Sequence, residues 1–430
     1  MEAIKIIGGK PLYGEVEICG AKNAVVGLLP AVLLAEDGVC RIDNVPNISD
    51  VSMMIEILKS LGATVKTVKR NAIEIDARHI ITDVVPHDTA KNLRASYYFI
   101  GALLGRFGSA KVALPGGCDF GVRPIDQHIK SFESLGATVN IENGMVNAKA
   151  EKLSGTFIYM DVVSVGATIN AMLASVKANG ITTIENAAKE PHIVDVANFL
   201  NSMGADIRGA GTTTIKIHGV EKLHGCSYSV IPDQIEAGTY MVAVAATGGD
   251  VLIKNVIPKH LESITAKLIE CGVEVTEYDD SIRVKRDKPI SSCNITTMPH
   301  PGFPTDMQPQ FVAMLAGANG ISIISESVWD NRFKYVDQLI KMGAKIEVKN
   351  GNIAVITGVE RLTGSPVGAT DLRAGAALVI AGLCAEGETL VEKINYIERG
   401  YERIVDKFKA LGAQINYVHR PDESAAMLAR

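Results

Sequence analysis

One helix ending recurs six times along the chain: SLGATV at Gly62, SLGATV at Gly136, SMGADI at Gly204, ECGVEV at Gly272, KMGAKI at Gly343 and ALGAQI at Gly412. Successive glycines lie 74, 68, 68, 71 and 69 residues apart. That period exceeds those of helical solenoids, so each repeat must hold several elements and not one hairpin. An amphipathic run precedes every glycine and a β-branched, alternating run follows it. The pattern predicts a helix C-cap leading into a strand.

The order inside each repeat is constant. An alanine-rich helix, apolar nearly all round, comes first (25–35, 97–104, 169–176, 237–246, 311–316 and 374–385) and is expected to be buried. A glycine-containing turn and a short strand follow (41–43, 111–114, 182–185, 251–254, 322–325 and 389–392). A half-polar helix then leads to the marker glycine, and two strands finish the unit, giving a βαβαββ-type repeat. Six repeats pair most simply as three plus three, an α/β fold whose sheets wrap a bundle of buried helices. The expected domains are 21–232, and 1–20 with 233–430, the chain crossing between them near 20–23 and 231–234. The opening strands, 4–7 and 14–19, are expected to complete the last repeat. The tail 421–430 lies outside the pattern.

Composition narrows the function classes. Of 430 residues 47% are hydrophobic and 21% charged, the balance of a soluble globular chain, and the net charge of −5 argues against a nucleic-acid partner. The longest apolar runs fall short of a membrane span, and no secretory signal opens the chain. The seven cysteines are scattered without metal-ligand spacing. A cytoplasmic monomer or weak oligomer without bound metal is expected.

A polar triplet precedes each buried helix: Ala21-Lys22-Asn23, Asn92-Leu93-Arg94, Ser164-Val165-Gly166, Pro232-Asp233-Gln234, Thr305-Asp306-Met307 and Asp371-Leu372-Arg373. Capping explains the serine, threonine and aspartates. It does not explain Lys22, Arg94 or Arg373, because a cation opposes the positive end of a helix dipole unless an anion lies between them. Phosphate is the obvious anion. The neighbouring connectors add Arg123, Glu190, Arg332 and Arg399. In the second repeat that connector is extended by LPGGCDFGVRPIDQH, placing Cys118 among three glycines and near Arg123. A thiol in such surroundings is a candidate for chemistry. If the helix N-termini of both trios face one another, these groups meet in the cleft between domains.

The motifs AKNA, NLRAS, LPGGC with RPID, SVGAT, ENAAKEP, PDQIEAGTY, PTDMQPQF, NRF, DLRAG and ERGYE, in that order, resemble the enolpyruvyl transferases, and within them those acting on a nucleotide sugar. The resemblance spans nearly the whole chain. It implies the inside-out α/β barrel fold and transfer of the enolpyruvyl group of phosphoenolpyruvate to the 3′-hydroxyl of UDP-N-acetylglucosamine. Phosphate is released through a tetrahedral intermediate, in the first committed step towards peptidoglycan. By the same resemblance Cys118 delivers a proton and is the target of the epoxide fosfomycin, while Asp306 is a plausible general base. Lys22, Asn23, Arg123, Arg332 and Arg399 hold phosphoenolpyruvate. The nucleotide sugar lies along Arg94, Arg123, Pro124, Ile125, Asp126, Gln127, Ser164, Val165, Gly166, Asp306 and Val328. No metal or cofactor is implied, since arginines supply the charge neutralisation.

Three other readings stand beside this one. A sister enzyme of the same fold acts on shikimate 3-phosphate. A cysteine/histidine hydrolase would use Cys118 with His128, although His128 is better read as capping or packing on its helix. A binding-only paralogue would keep the fold without turnover, against which the set Lys22, Cys118, Arg123, Asp306 and Arg399 speaks.

Overall fold

The computed structural model describes residues 2–90, 93–114 and 125–419. The chain divides into two compact units, Gly20–Ile231, and Met1–Cys19 together with Pro232–Arg430.

Each unit is built from four-stranded sheets on one plan. Around the buried helix Val165–Ser175, for example, the edge strand Phe157–Tyr159 runs parallel to Ile181–Glu185, the strand after the helix. Thr214–His218 and Asp206–Arg208 then add antiparallel. This is the βαβαββ order, its parallel pair joined by the helical crossover that parallel strands require. All six marker glycines take φ between 86° and 110°, the left-handed region that ends the amphipathic helix.

The buried helices form the cores. In one unit Gln234–Thr247, Gln308–Leu315 and Leu372–Cys384 pack on one another, and in the other Tyr98–Phe107 packs on both Lys22–Ala31 and Val165–Ser175. Helix Tyr98–Phe107 approaches its neighbour so closely that a Cβ on Gly101 would stand 2.6 Å from Asn170 O, and one on Gly105 2.6 Å from Leu173 O. Small residues at that spacing let the two backbones meet.

Two expectations need correction. The first buried helix covers Lys22–Ala31 and then tightens to a 3-10 turn, Val32–Leu34, just past Pro30, whose ring removes one rung of the ladder. The opening strands do not both complete the last repeat. Glu2–Ile7 lies there, between Glu388–Glu392 and Gln414–His419, but Leu12–Glu17 pairs in parallel with Gly249–Lys254 of the fourth repeat. The chain leaves this unit directly after Cys19, so Leu12–Glu17 becomes the edge strand of the repeat in its own unit that has no other. In the first repeat that role falls to Ser227–Ser229, parallel to Cys40–Asp43.

Candidate active site

The triplets that open the buried helices divide into caps and non-caps. Ser164 accepts from Ala167 N–H, Asp233 from Ile235 and Glu236, and Asp371 from Arg373 and Ala374, all as ordinary N-caps. Ala21, before Lys22, gives no side-chain cap.

In the unit Gly20–Ile231, Lys22 opens its helix with its ammonium 2.8 Å from Asp50 Oδ2. Asp50 is buried in the first turn of helix Ser49–Ser60. It supplies the negative charge that makes a cation tolerable at a helix N-terminus. Sequence reasoning missed Asp50, because an aspartate in a first helical turn reads as a dipole partner and nothing more. Asn23 is half-buried on the same turn as Lys22.

Asp126 and Gln127 begin helix Asp126–Ser134, for which Ile125 is the N-terminal flanking residue. Gln127 is buried, donates to Asp126 Oδ2 (2.9 Å) and Asp161 Oδ2 (3.1 Å), and accepts from Asp161 N–H (2.9 Å). Lys130 closes on the same Asp161 at 2.7 Å. These bonds fasten the start of that helix to the strand exit preceding Ser164, Val165 and Gly166. At the next residue, His128 Nδ1 accepts from Asn170 Nδ2 (2.8 Å), while Asn170 Oδ1 accepts from Gly101 N–H (2.9 Å). Burial, opposed by nearby Asp126, lowers the His128 pKa to about 4, so the ring is neutral with its proton on Nε2. A Cβ on Gly166 would stand 3.0 Å from His128 Cε1 and Nε2. The glycine of SVGAT is therefore what lets these two segments close on each other. His128 is a packing residue in this network.

In the other unit, Asp306 lies in the 3-10 turn Thr305–Met307 that leads into helix Gln308–Leu315. Its carboxylate is held between two buried guanidiniums: Arg332 Nη2 is 3.1 Å from Oδ1, and Arg373 Nη2 and Nε are 3.1 and 3.3 Å from Oδ2. The cation at the start of helix Leu372–Cys384 thus has an anion in front of it. Arg373 also stacks over Tyr401, 5.5 Å from the ring centroid. The Tyr401 hydroxyl meets Thr239 Oγ1 at 2.9 Å and Gln310 Nε2 at 3.3 Å. Arg373 Nη1 is buried with no hydrogen-bond partner among the described residues, so this guanidinium has a donor to spare for an anion. Val328 has its N–H on Glu326, and Arg399, half-buried, ends the 3-10 helix Ile394–Arg399.

The structure therefore gathers Asp306 and Arg332 with Arg373 in one unit, and Asp126 and Gln127 with Ser164, Val165 and Gly166 in the other. Cys118, Arg123 and Pro124 lie outside the described residues, as does the side chain of Arg94.

Two buried arginines thus share one carboxylate at a helix start, in a chain of two units each made of three βαβαββ repeats. The chain belongs to the enolpyruvyl transferase family described as EPSP synthase (3-phosphoshikimate 1-carboxyvinyltransferase), which it matches over residues 6–408. It is 60% identical over 415 residues to UDP-N-acetylglucosamine 1-carboxyvinyltransferase 2 of Clostridium acetobutylicum, covering 96% of this chain and 99% of that protein. UDP-N-acetylglucosamine 1-carboxyvinyltransferase of Clostridium botulinum is 59% identical over the same shares. Among solved structures, the enolpyruvyl transferase NikO from Streptomyces tendae superposes with a TM-score of 0.88 at 27% identity, over 98% of this chain and 99% of that one. EPSP synthase from Acinetobacter baumannii shares the fold, with a TM-score of 0.77 at 17% identity over 97% and 100%.

Proposed function

We propose that this protein transfers the enolpyruvyl group of phosphoenolpyruvate to the 3′-hydroxyl of UDP-N-acetylglucosamine and releases phosphate, the first committed step towards peptidoglycan. The names of relatives at about 60% identity support the acceptor. The observation in the molecule that carries the chemistry is the Asp306 carboxylate clamped by Arg332 and Arg373.

The reaction adds the sugar oxygen to C2 of phosphoenolpyruvate and a proton to C3, then expels phosphate as a methyl proton leaves. Asp306 takes the hydroxyl proton. While both guanidiniums stay on Asp306 their charge opposes that step. The carboxylate and phosphate of phosphoenolpyruvate offer them better partners, so donor binding draws the arginines off and leaves Asp306 free to act. Lys22, Arg123 and Arg399 share the donor's charge. Cys118 gives the proton to C3. The nucleotide sugar rests on the segment 123–127, on Ser164 to Gly166 and on Val328. Support for that placement comes from the bonds between Gln127 and Asp161 and the tight fit of Gly166 on His128. The enzyme works in the cytoplasm as a monomer or weak oligomer, in keeping with its scattered thiols.

Phosphate release measured with phosphoenolpyruvate and either acceptor tests this reading. Turnover is expected with UDP-N-acetylglucosamine and none with shikimate 3-phosphate. The reverse preference would assign the chain to the sister reaction, and neither would leave a binding protein. A fosfomycin adduct on Cys118, seen by intact mass after incubation with the nucleotide sugar, is the companion result; its absence would remove the cysteine's assigned reactivity.

A further inference from the structure

In three of the six repeats the strand after the buried helix leaves the sheet in the same way. A left-handed asparagine, Asn44, Asn186 or Asn255 (φ 57–59°), donates from Nδ2 to the last carbonyl beside the edge strand: Val230, Met160 or Ile18. The next residue, buried Val45, Ala187 or Val256, then takes up the sheet's hydrogen bonding through its N–H. The fifth repeat breaks this rule. No left-handed residue intervenes, and the position that hydrogen-bonds Asn352 O, which in those three repeats holds a buried aliphatic residue, holds Glu326, 3% exposed. The edge-strand carbonyl of Thr297 is taken instead by the Ser327 hydroxyl.

A buried carboxylate in place of an aliphatic side chain is costly unless its lone pairs are filled. Here they are. Glu326 Oε1 accepts from Thr297 Oγ1 (2.7 Å) and from the N–H groups of Val328 (2.9 Å) and Trp329 (3.0 Å), while Oε2 accepts from Thr305 Oγ1 (2.9 Å). The parallel register Thr296↔Ser325 is what sets Thr297 beside it. Thr305 adjoins Asp306, and Val328–Trp329 begins the segment that delivers Arg332. One carboxylate therefore spans the two segments whose side chains meet as the Asp306–Arg332 pair.

We infer that Glu326 is a positioning residue for the proposed transfer: it fixes the turn carrying the base Asp306 in register with the segment carrying Val328 and Arg332. The inference rests on the function proposed above. A carboxylate suits the task because it only accepts, and all four groups facing it donate. An amide in its place would present a donor to donors. A misplacement of about 1 Å at a base costs on the order of 100-fold in rate, whereas binding of the donor, which Lys22, Arg123 and Arg399 share with Arg332, changes far less.

The test is steady-state kinetics of the full chain with phosphoenolpyruvate and UDP-N-acetylglucosamine, for Glu326→Gln, Thr305→Val and the double variant, normalised to folded protein by circular dichroism. Glu326→Gln is expected to lower kcat by roughly 30- to 100-fold and Thr305→Val by roughly 3- to 10-fold, with KM for phosphoenolpyruvate within about 3-fold. In the double variant Thr305→Val adds less than about 2-fold, because its tether is already gone. A purely structural Glu326 would lower the melting temperature and leave kcat per folded molecule unchanged, which overturns the inference; so do fully multiplicative effects. If Glu326→Gln does not fold, unchanged kcat in Thr305→Val overturns it. Failure of the unsubstituted chain to turn over would overturn the reaction itself, a result distinct from normal turnover that both variants retain.

Discussion

A carboxylate between two buried guanidiniums does two jobs at residue scale, and one substitution separates them. Asp306→Asn removes the proton acceptor and the counter-charge of Arg332 and Arg373 together. Turnover is expected to fall by roughly 100-fold or more, and urea unfolding to show a loss on the order of 3 kcal/mol because two buried cations then face each other unneutralised. An unchanged unfolding midpoint would mean the arginines relax into solvent. His128 gives the pH counterpart. Its folded-state pKa of about 4 lies below the ordinary 6.5, so unfolding takes up a proton at any pH between them. The stability tied to the neutral ring is complete above about pH 6.5 and is lost as pH falls towards 4. Unfolding free energy should drop across that window, by an amount on the order of 3 kcal/mol, and His128→Gln should flatten the drop. An equal acid slope in both proteins would place the titration elsewhere.

Among elements, the helix Gln234–Thr247 is tied to helix Ile404–Ala410 by a buried ion pair that the site does not use. Glu236 Oε1 meets Lys407 Nζ at 2.6 Å, its other oxygen accepts from Cys19 N–H at 2.8 Å, and Lys407 reaches Cys19 Sγ at 3.2 Å. Burial pushes the Cys19 thiol up to about 12, so it sits there protonated. Lys407→Met should cost about 3–5 kcal/mol by stranding Glu236, and adding Glu236→Leu should restore most of it; chemical denaturation of both variants checks this, and equal losses in both would argue against stranded charge as the cause. Neither half of this pair was legible in the sequence. Glu236 and Lys407 lie 171 residues apart on helices that each look self-sufficient. A similar limit hid Asp50, whose partner Lys22 is brought to it by the packing of two helices, and Glu326, whose partners Thr297 and Thr305 are set by the pairing of parallel strands. Local order was readable because it is written locally: the marker glycines with their left-handed φ, the buried helices with apolar residues on every face, and the caps Ser164, Asp233 and Asp371. The exchange of edge strands was not, since Leu12–Glu17 and Ser227–Ser229 look alike to a pattern search and differ only in which unit their chain next enters.

That exchange governs the whole molecule. The unit Gly20–Ile231 takes every strand of its sheets from one continuous segment, including its edge strand Ser227–Ser229. The other unit draws on both ends of the chain. Its last sheet, in the order Pro366–Gly368, Glu388–Glu392, Glu2–Ile7, Gln414–His419, has the N-terminal strand in its interior, hydrogen-bonded on both sides, with Ile4 and Ile6 in the core. Removing residues 1–19 therefore opens that sheet in the middle and strips Leu12–Glu17 from the edge of another. A fragment covering 20–231 should fold alone with a cooperative urea transition. A fragment covering 232–430 should lack one until a peptide of residues 1–19 is added, or until those residues are fused behind its C-terminus. Binding of the peptide should then raise the transition midpoint with peptide concentration, as mass action requires. Cooperative unfolding of 232–430 by itself would show that its three-helix core outweighs the missing strand, and that the paired interior position of Glu2–Ile7 is dispensable.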